Sequence, residues 1–226
     1  MPRELTTDVL VVAAHPPELA GLKGILGDGL RGKVHDLEIA TEAVGIGLAA
    51  AAAGTAAAIR AHSPLCLVLV GTCGVYESRA GDIGIAEVVA ANRIRLASTA
   101  AVEGRGAFPA PMLVAVDPDA ALSRALARET VRRVTVATTL AITTDDALAN
   151  RVAQALECEV EHLEAFAVVA ASIQLQVPAA VVLGVANRVG SHARDEWLHH
   201  HAQAGTAATD IVAAWLCKGA PGLVRT

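Results

Sequence analysis

The chain has 226 residues, of which 54% are hydrophobic and only 2% aromatic, and its formal net charge is −5. This length suits one large α/β domain or two small ones, with a core that Val, Leu, Ile and Ala must fill. The acidic balance, the scattered Arg and Lys residues and the scarcity of aromatic side chains argue against nucleic-acid binding, which needs a basic face.

The start of the chain argues against a secretory signal, because Glu4 and Asp8 interrupt any early apolar run. The longest weakly polar stretch, residues 46–59, is mostly Ala and is too short and too weakly apolar to span a membrane. The four cysteines show no CxxC spacing, which is typical of reduced thiols in a cytoplasmic protein. We therefore expect a cytoplasmic protein with no membrane segment.

The first third of the chain predicts three strands and two helices. Residues 8–14 form a short, apolar, β-branched run that predicts a buried strand, which His15-Pro16-Pro17 ends. The following elements are a helix over 18–26, a strand region over 34–44, a turn at Gly45-Ile46-Gly47, an Ala-rich helix ending near His62 and a strand over 65–70.

The rest of the chain continues the alternation of strands and helices. Its predicted elements are a turn and strand over 81–89, a Gly- and Pro-rich loop over 103–118, a helix over 122–128, a strand over 131–142, helices over 147–156 and 164–175, a strand over 179–186 and a helix from about 194 to 216. Because the strands are apolar on both faces, the pattern predicts an α/β protein with a largely parallel sheet between helical layers. No repeat or linker divides the chain, so we expect a single domain over residues 1–226.

Polar clusters follow three of the predicted strands, at His15–Glu18, Gly71–Gly74 and Asn187–Arg194. Binding sites in open α/β sheets collect at the carboxyl ends of strands. The three clusters therefore predict one active site.

Glu164 is the first candidate for chemistry, because it begins an apolar helix and follows two further acids, Glu159 and Glu161. Acidic residues favour a helix N-terminus, so a structural role explains it about equally well. The functional alternative is a carboxylate whose two oxygens accept hydrogen bonds from the vicinal diol of a ribose.

Glu18 and Asn187 are the other two candidates. A glutamate on a surface helix is the simpler interpretation of Glu18, and a general acid/base near an apolar sheet end is the alternative. Asn187 follows a strand, where Asn often forms turns, but its amide also offers a donor and an acceptor. That pair suits a purine with a 6-oxo group, whereas a carboxylate there would suit adenine by sharing a proton with N7.

Motifs for cofactors and metals are missing from the sequence. Gly71-Thr72-Cys73-Gly74 lacks the Gly-Lys-Ser/Thr ending of a Walker A loop, and no GxGxxG follows the first strand. The consecutive residues His199–His201 would point about 100° apart on a helix, so they do not converge on one ion. We expect no cofactor and no metal, and a solvated helix face for these histidines.

Five segments, in this order, resemble the purine nucleoside phosphorylase and nucleosidase superfamily. They are residues 9–14 followed by Glu18, then Gly45-Ile46-Gly47, Val70-Gly71-Thr72-Cys73-Gly74, Gly81-Asp82-Ile83 and Glu161-His162-Leu163-Glu164-Ala165-Phe166-Ala167. The resemblance covers nearly the whole chain. It implies a three-layer α/β/α phosphorylase/hydrolase-like fold with a central mixed, largely parallel sheet.

Within the superfamily, Ala186-Asn187-Arg188-Val189-Gly190, with Arg194 and Trp197 downstream, is similar to futalosine hydrolases. These enzymes release hypoxanthine from futalosine in menaquinone biosynthesis, whereas methylthioadenosine/S-adenosylhomocysteine nucleosidases carry an Asp in place of Asn187. Hexameric bacterial phosphorylases carry an Arg where Leu69 stands here, and a phosphate dianion needs such a basic partner. The resemblance therefore favours water as the nucleophile.

The resemblance also implies roles for individual residues. Glu18 activates water, Glu164 fixes the ribose hydroxyls and Asn187 stabilises the departing purine. We expect further substrate contacts from Thr72, Cys73, Gly74, Glu161, His162, Leu163, Arg194 and Phe108, the last as a lid over the pocket. The expected partners are a small nucleoside and water, and the expected assembly is a homodimer or larger homo-oligomer.

His162, Phe166 and Ala186 depart from the residues usual in futalosine hydrolases. These departures leave three hypotheses open. The first is a 6-oxopurine nucleosidase that acts on futalosine. The second is a methylthioadenosine/S-adenosylhomocysteine nucleosidase or a purine nucleoside phosphorylase. The third is a non-catalytic nucleoside-binding homologue.

Overall fold

The computed structural model describes residues 7–127 and 131–224. Two residues used in the sequence predictions, Glu4 and Arg128, lie outside these ranges. The strands are β1 (Val9–Ala13), β2 (Gly32–Val34), β3 (Leu37–Ala43), β4 (Cys66–Val75), β5 (Val88–Leu96), β6 (Ala115–Val116), β7 (Arg132–Thr138), β8 (Val160–Glu161) and β9 (Ala179–Arg188).

A 3₁₀ helix, Pro16–Leu22, follows β1 and leads into the first α-helix. The α-helices are α1 (Lys23–Leu26), α2 (Leu48–His62), α3 (Glu77–Ala80), α4 (Thr99–Val102), α5 (Ala120–Leu126), α6 (Asp146–Leu156), α7 (Ala165–Gln174) and α8 (Ala193–Leu216). The long helix α2 is rich in Ala, the residue with the highest helix propensity. It ends where Ser63 adopts a left-handed conformation before Pro64.

All of these strands belong to one mixed sheet. Parallel pairings join β1 to β3 and β4, β4 to β9, and β7 to β5 and β8. Antiparallel pairings join β2 to β3, β4 to β8, and β5 to β6 and β9. Because β9 pairs with both β4 and β5, and β8 with both β4 and β7, these five strands form a closed ring.

Helices cover both faces of this sheet. In β1, Leu10 and Val12 pack into a core cluster that contains residues of α2 and α7. The alternate residues Val9 and Val11 pack into a second cluster with residues of α5, α8 and the 3₁₀ helix. This alternation follows from the two-residue repeat of a strand, and it confirms the predicted three-layer α/β/α architecture.

The strands β4 and β9 differ most from the prediction. Gly71–Gly74 was expected in a loop, but these residues continue β4 beside β9, with a bulge between Cys73 and Gly74. Asn187 was expected after its strand and instead lies within β9. Polar residues and glycines suggested loops, but backbone hydrogen bonding between two long parallel strands keeps these segments extended.

Smaller differences concern element boundaries. The predicted helix over 18–26 is mostly 3₁₀. The predicted strand region 34–44 begins at the end of β2, turns at His35, which has a positive φ, and continues as β3. The predicted strand over 131–142 ends at Thr138, and the strand predicted up to residue 89 continues to Leu96. The short elements β6, β8, α3 and α4 were not predicted, because two to four residues carry no detectable periodicity.

Candidate active site

A cavity of about 570 Å³ opens where β1, β4 and β9 end, beside the start of α7 and one face of α8. Its walls come from segments that are far apart in the sequence. The lining residues used below are His15, Glu18, Thr72, Cys73, Gly74, Glu161, His162, Leu163, Glu164, Asn187, Arg194, Trp197 and His201. The three clusters predicted from strand ends therefore meet in one cavity.

Glu18 is fixed by the turn that follows β1. Pro16 and Pro17 start the 3₁₀ helix, and Glu18 Oε2 accepts a hydrogen bond from the His15 backbone N–H at 3.0 Å. Its Oε1 accepts one from the Thr72 backbone N–H in β4 at 3.3 Å. Burial raises the pKa of Glu18, while His162 and the two backbone N–H groups oppose the increase. A raised pKa makes the carboxylate form of Glu18 a stronger base than that of an ordinary exposed glutamate, which favours a role in proton transfer.

Glu164 is the N-cap residue of α7 and is only 4% exposed. Its Oε1 accepts a hydrogen bond from the Gly47 backbone N–H at 2.7 Å. Gly47 has a φ of 85°, a left-handed conformation that favours glycine, so the turn before α2 contributes a donor to the site. This contact joins two segments that the sequence motifs identified separately.

His162 is buried between Glu161 and the start of α7. Its Nδ1 accepts hydrogen bonds from the backbone N–H groups of Glu164 at 3.2 Å and Ala165 at 3.1 Å. The imidazole therefore binds donors at the N-terminus of α7 that have no partner inside the helix.

Glu161 has a different environment from Glu18 and Glu164. Its oxygens accept hydrogen bonds from the Tyr76 hydroxyl at 2.7 Å, the Thr143 backbone N–H at 2.9 Å and the Thr143 hydroxyl at 2.6 Å. The carboxylate thus anchors the segment after β7 to the sheet. It lines the cavity, but its oxygens are already bound by protein donors.

Asn187 faces β4 from β9 and is 8% exposed. Its Nδ2 donates to the Arg188 carbonyl oxygen at 2.8 Å. A Cβ at Gly74 would lie 2.8 Å from Nδ2, so only glycine at position 74 leaves the Asn187 amide in this position. The glycine of the predicted loop therefore has a steric role inside a strand.

One face of α8 forms a wall of the cavity that sequence reasoning largely missed. Arg194, Trp197 and His201 follow each other at helical spacing on this face. Trp197 Nε1 donates to the Thr72 hydroxyl at 3.1 Å, and the His201 ring stacks on the indole at 4.3 Å. The expectation of a fully solvated face for the histidine triplet is therefore wrong for His201. In the sequence, the i, i+3, i+7 spacing of these three residues could have indicated that they share one face of a helix.

The remaining predicted contacts lie in two places. Thr72, Cys73, Gly74, Leu163 and Arg194 line the cavity. Cys73 is 3% exposed, and burial raises the pKa of its thiol, so this side chain provides an apolar wall rather than a thiolate. Phe108 does not line the cavity in this chain and instead packs, partly buried, against a core cluster.

The described residues form neither a metal cluster nor a membrane-spanning helix. Within 7–127 and 131–224, no group of three or more His, Cys, Asp and Glu side chains is arranged to hold a metal ion. None of the helices in these ranges combines the length and apolar character that crossing a membrane requires.

Several solved structures share this fold. A methylthioadenosine/S-adenosylhomocysteine nucleosidase from Colwellia psychrerythraea in complex with adenine has a TM-score of 0.82 at 17% identity, covering 98% of each chain. The corresponding Helicobacter pylori nucleosidase has a TM-score of 0.84 at 13% identity, covering 95% of this chain and 100% of that one. Futalosine hydrolase of the same organism has a TM-score of 0.84 at 12% identity, covering 94% and 98%.

Sequence comparison gives the family. A search of curated protein sequences found no match. A family model for the phosphorylase superfamily matches residues 20–216, which is most of the chain. The protein is therefore a member of the phosphorylase superfamily.

Proposed function

We propose that this protein is a nucleosidase that uses water to cut the N-glycosidic bond of a 6-oxopurine nucleoside. The proposed reaction converts futalosine to hypoxanthine and dehypoxanthine futalosine. The observation that carries the proposal is the convergence of Glu18, Glu164 and Asn187, from three distant segments, on one cavity.

Glu164 is the proposed ligand of the ribose hydroxyls. Its Oε1 accepts one hydrogen bond from Gly47, and a carboxylate has further lone pairs to accept from a vicinal diol. Hydrogen bonds to a charged group contribute about 1.5–3 kcal/mol each. The negative charge also lies near the ribosyl cation that develops as the bond breaks, which stabilises the transition state.

Glu18 is the proposed general base. Two backbone N–H groups orient its carboxylate, and its raised pKa suits it to take a proton from water. The hydroxide equivalent bonds to C1′ of the ribose, and the C1′–N9 bond electrons leave with the purine. The purine then takes up a proton, so the reaction consumes one water in total.

Asn187 is the proposed partner of the base. Its amide can donate a hydrogen bond to O6 or N7 of a 6-oxopurine and so stabilise the negative charge of the leaving group. A carboxylate at this position would suit adenine instead, by sharing a proton with N7. The amide therefore supports a 6-oxopurine over an adenine nucleoside.

The charges of the cavity favour water over phosphate as the nucleophile. Three carboxylates line it, from Glu18, Glu161 and Glu164, and Arg194 is the only lysine or arginine among its lining residues in the described chain. Leu69 lies fully buried in the core, so that position provides no cation. A phosphate dianion would have few partners and several repulsive neighbours.

Release of adenine is the second candidate function. It is supported by the similarity of the fold to the Colwellia psychrerythraea nucleosidase that was solved with adenine. The expected homodimer or larger assembly is compatible with either function and stays a proposal.

Incubation with futalosine, inosine and methylthioadenosine, each with and without phosphate, tests the proposal by chromatography of the released base. We expect hypoxanthine from futalosine without phosphate. A requirement for phosphate would show a phosphorylase, and adenine release without hypoxanthine release would support the second candidate. No base release from any of the three would favour a non-catalytic nucleoside-binding protein.

A further inference from the structure

The hydrogen bonds of His162 determine which ring nitrogen carries a proton. Backbone N–H groups are always donors, so the two that contact Nδ1 require Nδ1 to be an acceptor. Glu164 Oε2 also lies near Nδ1, at 3.4 Å, but this contact is longer than both N–H contacts. The proton of the neutral ring is therefore on Nε2, which is free to donate.

The Nε2 atom of His162 faces Glu18 across Gly71 in β4. A Cβ at Gly71 would lie 3.2 Å from His162 Nε2 and 3.2 Å from Glu18 Oε1, so the two atoms flank the same small space. In the described part of the chain, no direct hydrogen bond or ion pair joins these two side chains. A donor and an acceptor beyond direct reach of each other are suited to a bridging water.

We infer that His162 is a positioning residue that holds the attacking water against Glu18, an inference that rests on the proposed hydrolysis. Nε2–H donates to the water oxygen, and the water donates one proton to Glu18 Oε1. The second lone pair of the water is then available to attack C1′ of the ribose. The same N–H dipole favours the ionised form of Glu18, which is the form that accepts a proton.

Other titratable or charged groups line the same cavity as Glu18, and a test must leave them in place. They are Glu164 at the start of α7, Glu161 in β8, Arg194 and His201 on α8, and His15 in the segment of Glu18 itself. Substitution of His162 alone changes none of these charges. It does risk altering the N-terminus of α7, so the variants must separate the Nδ1 contact from the Nε2 contact.

Two amide substitutions make this separation. In His162→Asn the side-chain oxygen can take the position of Nδ1 and keep the two helix contacts, but no donor reaches the position of Nε2. In His162→Gln the amide nitrogen can reach the position of Nε2 and keep the donor. Gly71→Ala is a third variant, because the added methyl group occupies the space between Glu18 and His162.

The first measurement is the titration of the Glu18 carboxyl by NMR in ¹³C-glutamate-labelled protein, with the signal assigned by its loss in Glu18→Gln. The second is the pH profile of kcat and KM for base release. We expect His162→Asn and Gly71→Ala to raise the titration midpoint by about one pH unit, the size of one hydrogen bond to a charged group. We expect His162→Asn to lower kcat at neutral pH about tenfold with little change in KM, and His162→Gln to restore both quantities toward wild type.

An unchanged midpoint in His162→Asn would overturn the inference. Equal shifts in His162→Asn and His162→Gln would also overturn it, because His162→Gln keeps the donor at the position of Nε2. A shift in His162→Gln without one in His162→Asn would assign the effect to the helix contacts of Nδ1. A loss confined to KM would identify His162 as a substrate ligand instead. The titration needs no turnover, so absence of base release by the wild-type protein would contradict the proposed function separately.

Discussion

Glu18 combines two opposing influences on a single carboxyl group. Backbone N–H groups of His15 and Thr72 bind its oxygens, which favours the ionised form. Burial has the larger effect and raises the pKa of Glu18 above its ordinary value of 4.5. The same carboxyl therefore determines both the pH dependence of the proposed reaction and a pH-dependent part of the stability.

The rate of base release should increase with pH as Glu18 ionises. We expect the acidic limb of kcat/KM to lie above pH 4.5, the ordinary value for this carboxyl. Glu18→Gln should lose about 10²–10⁴ in kcat and also lose this limb. Steady-state kinetics over a range of buffers measures both effects. An acidic limb that persists in Glu18→Gln would show that another group, not Glu18, is the general base.

The stability of Glu18→Gln should show the opposite trend from its activity. Because the folded pKa of Glu18 is raised, the native state binds more protons than the unfolded state between the two pKa values, and stability falls as pH rises through that window. The neutral amide of Gln carries no charge that burial disfavours, so the variant does not lose this stability. We expect Glu18→Gln to have a higher Tm than wild type at pH 7, and the difference to disappear below the ordinary carboxyl range. Calorimetry at several pH values measures it, and a lower Tm for the variant at pH 7 would contradict this account.

Asn187 should determine which purine leaves. We expect Asn187→Asp to change the ratio of kcat/KM for futalosine and methylthioadenosine by about ten- to a hundredfold in favour of the adenine nucleoside. This range corresponds to one charge-assisted hydrogen bond. The ratio cancels errors in active enzyme concentration, so each variant is its own control. An unchanged ratio would mean that Asn187 does not contact the base.

Contact between β9 and α8 holds Asn187 and the helical wall of the cavity in fixed positions. Gly184 in β9 lies against the backbone of α8, and a Cβ there would come within 2.0 Å of the Ala204 carbonyl oxygen. The nearest atoms belong to the helix backbone, so no side-chain rotation relieves the overlap. This close approach keeps Trp197 and His201 near the ends of the strands.

Gly184→Ala should therefore separate β9 from α8. We expect a loss of at least about 1–3 kcal/mol in the free energy of unfolding, the usual cost of overpacking a core. Gly24→Ala in α1 is the matched control, because no atom lies within 4 Å of its Cβ position and its φ is not positive. Urea denaturation of both variants makes the comparison. Equal stability of the two variants would show that β9 and α8 adjust freely.

The sequence predicts the long elements of this fold better than their ends. The first strand, the Ala-rich helix and the final helix follow from clear apolar runs and breakers. Gly71–Gly74 and Asn187 were misplaced in loops because their residue types favour turns, whereas pairing between β4 and β9 decides their conformation. Such pairing depends on residues more than a hundred positions away, which local propensity does not report.

The sequence predicted the three central residues of the candidate site better than the residues around them. Strand-end clusters and motifs identified Glu18, Glu164 and Asn187, and all three line the cavity. On the α8 wall, only Arg194 was predicted to contact substrate. Trp197 was named solely as part of the futalosine hydrolase-like segment, and His201 was assigned to a solvated face. The position of Phe108 in a Gly- and Pro-rich loop suggested a lid, but this side chain packs against the core.

At the scale of the whole molecule, the sheet explains how distant segments come to share one cavity. The strands β4, β9, β5, β7 and β8 pair in a ring, and β1 adds a parallel strand next to β4. This arrangement brings the ends of β1, β4 and β9 to one edge, while β8 ends at Glu161 and leads directly into His162 and Glu164. The proposed chemistry thus depends on the topology of the sheet rather than on one contiguous motif.

The identity of the sugar product tests the central claim most directly. The protein is incubated with futalosine and inorganic phosphate, and the products are analysed by mass spectrometry after a rapid quench. Attack by water predicts hypoxanthine together with dehypoxanthine futalosine, and the same rate when phosphate is left out. Formation of a sugar 1-phosphate, or base release only in the presence of phosphate, would contradict the account.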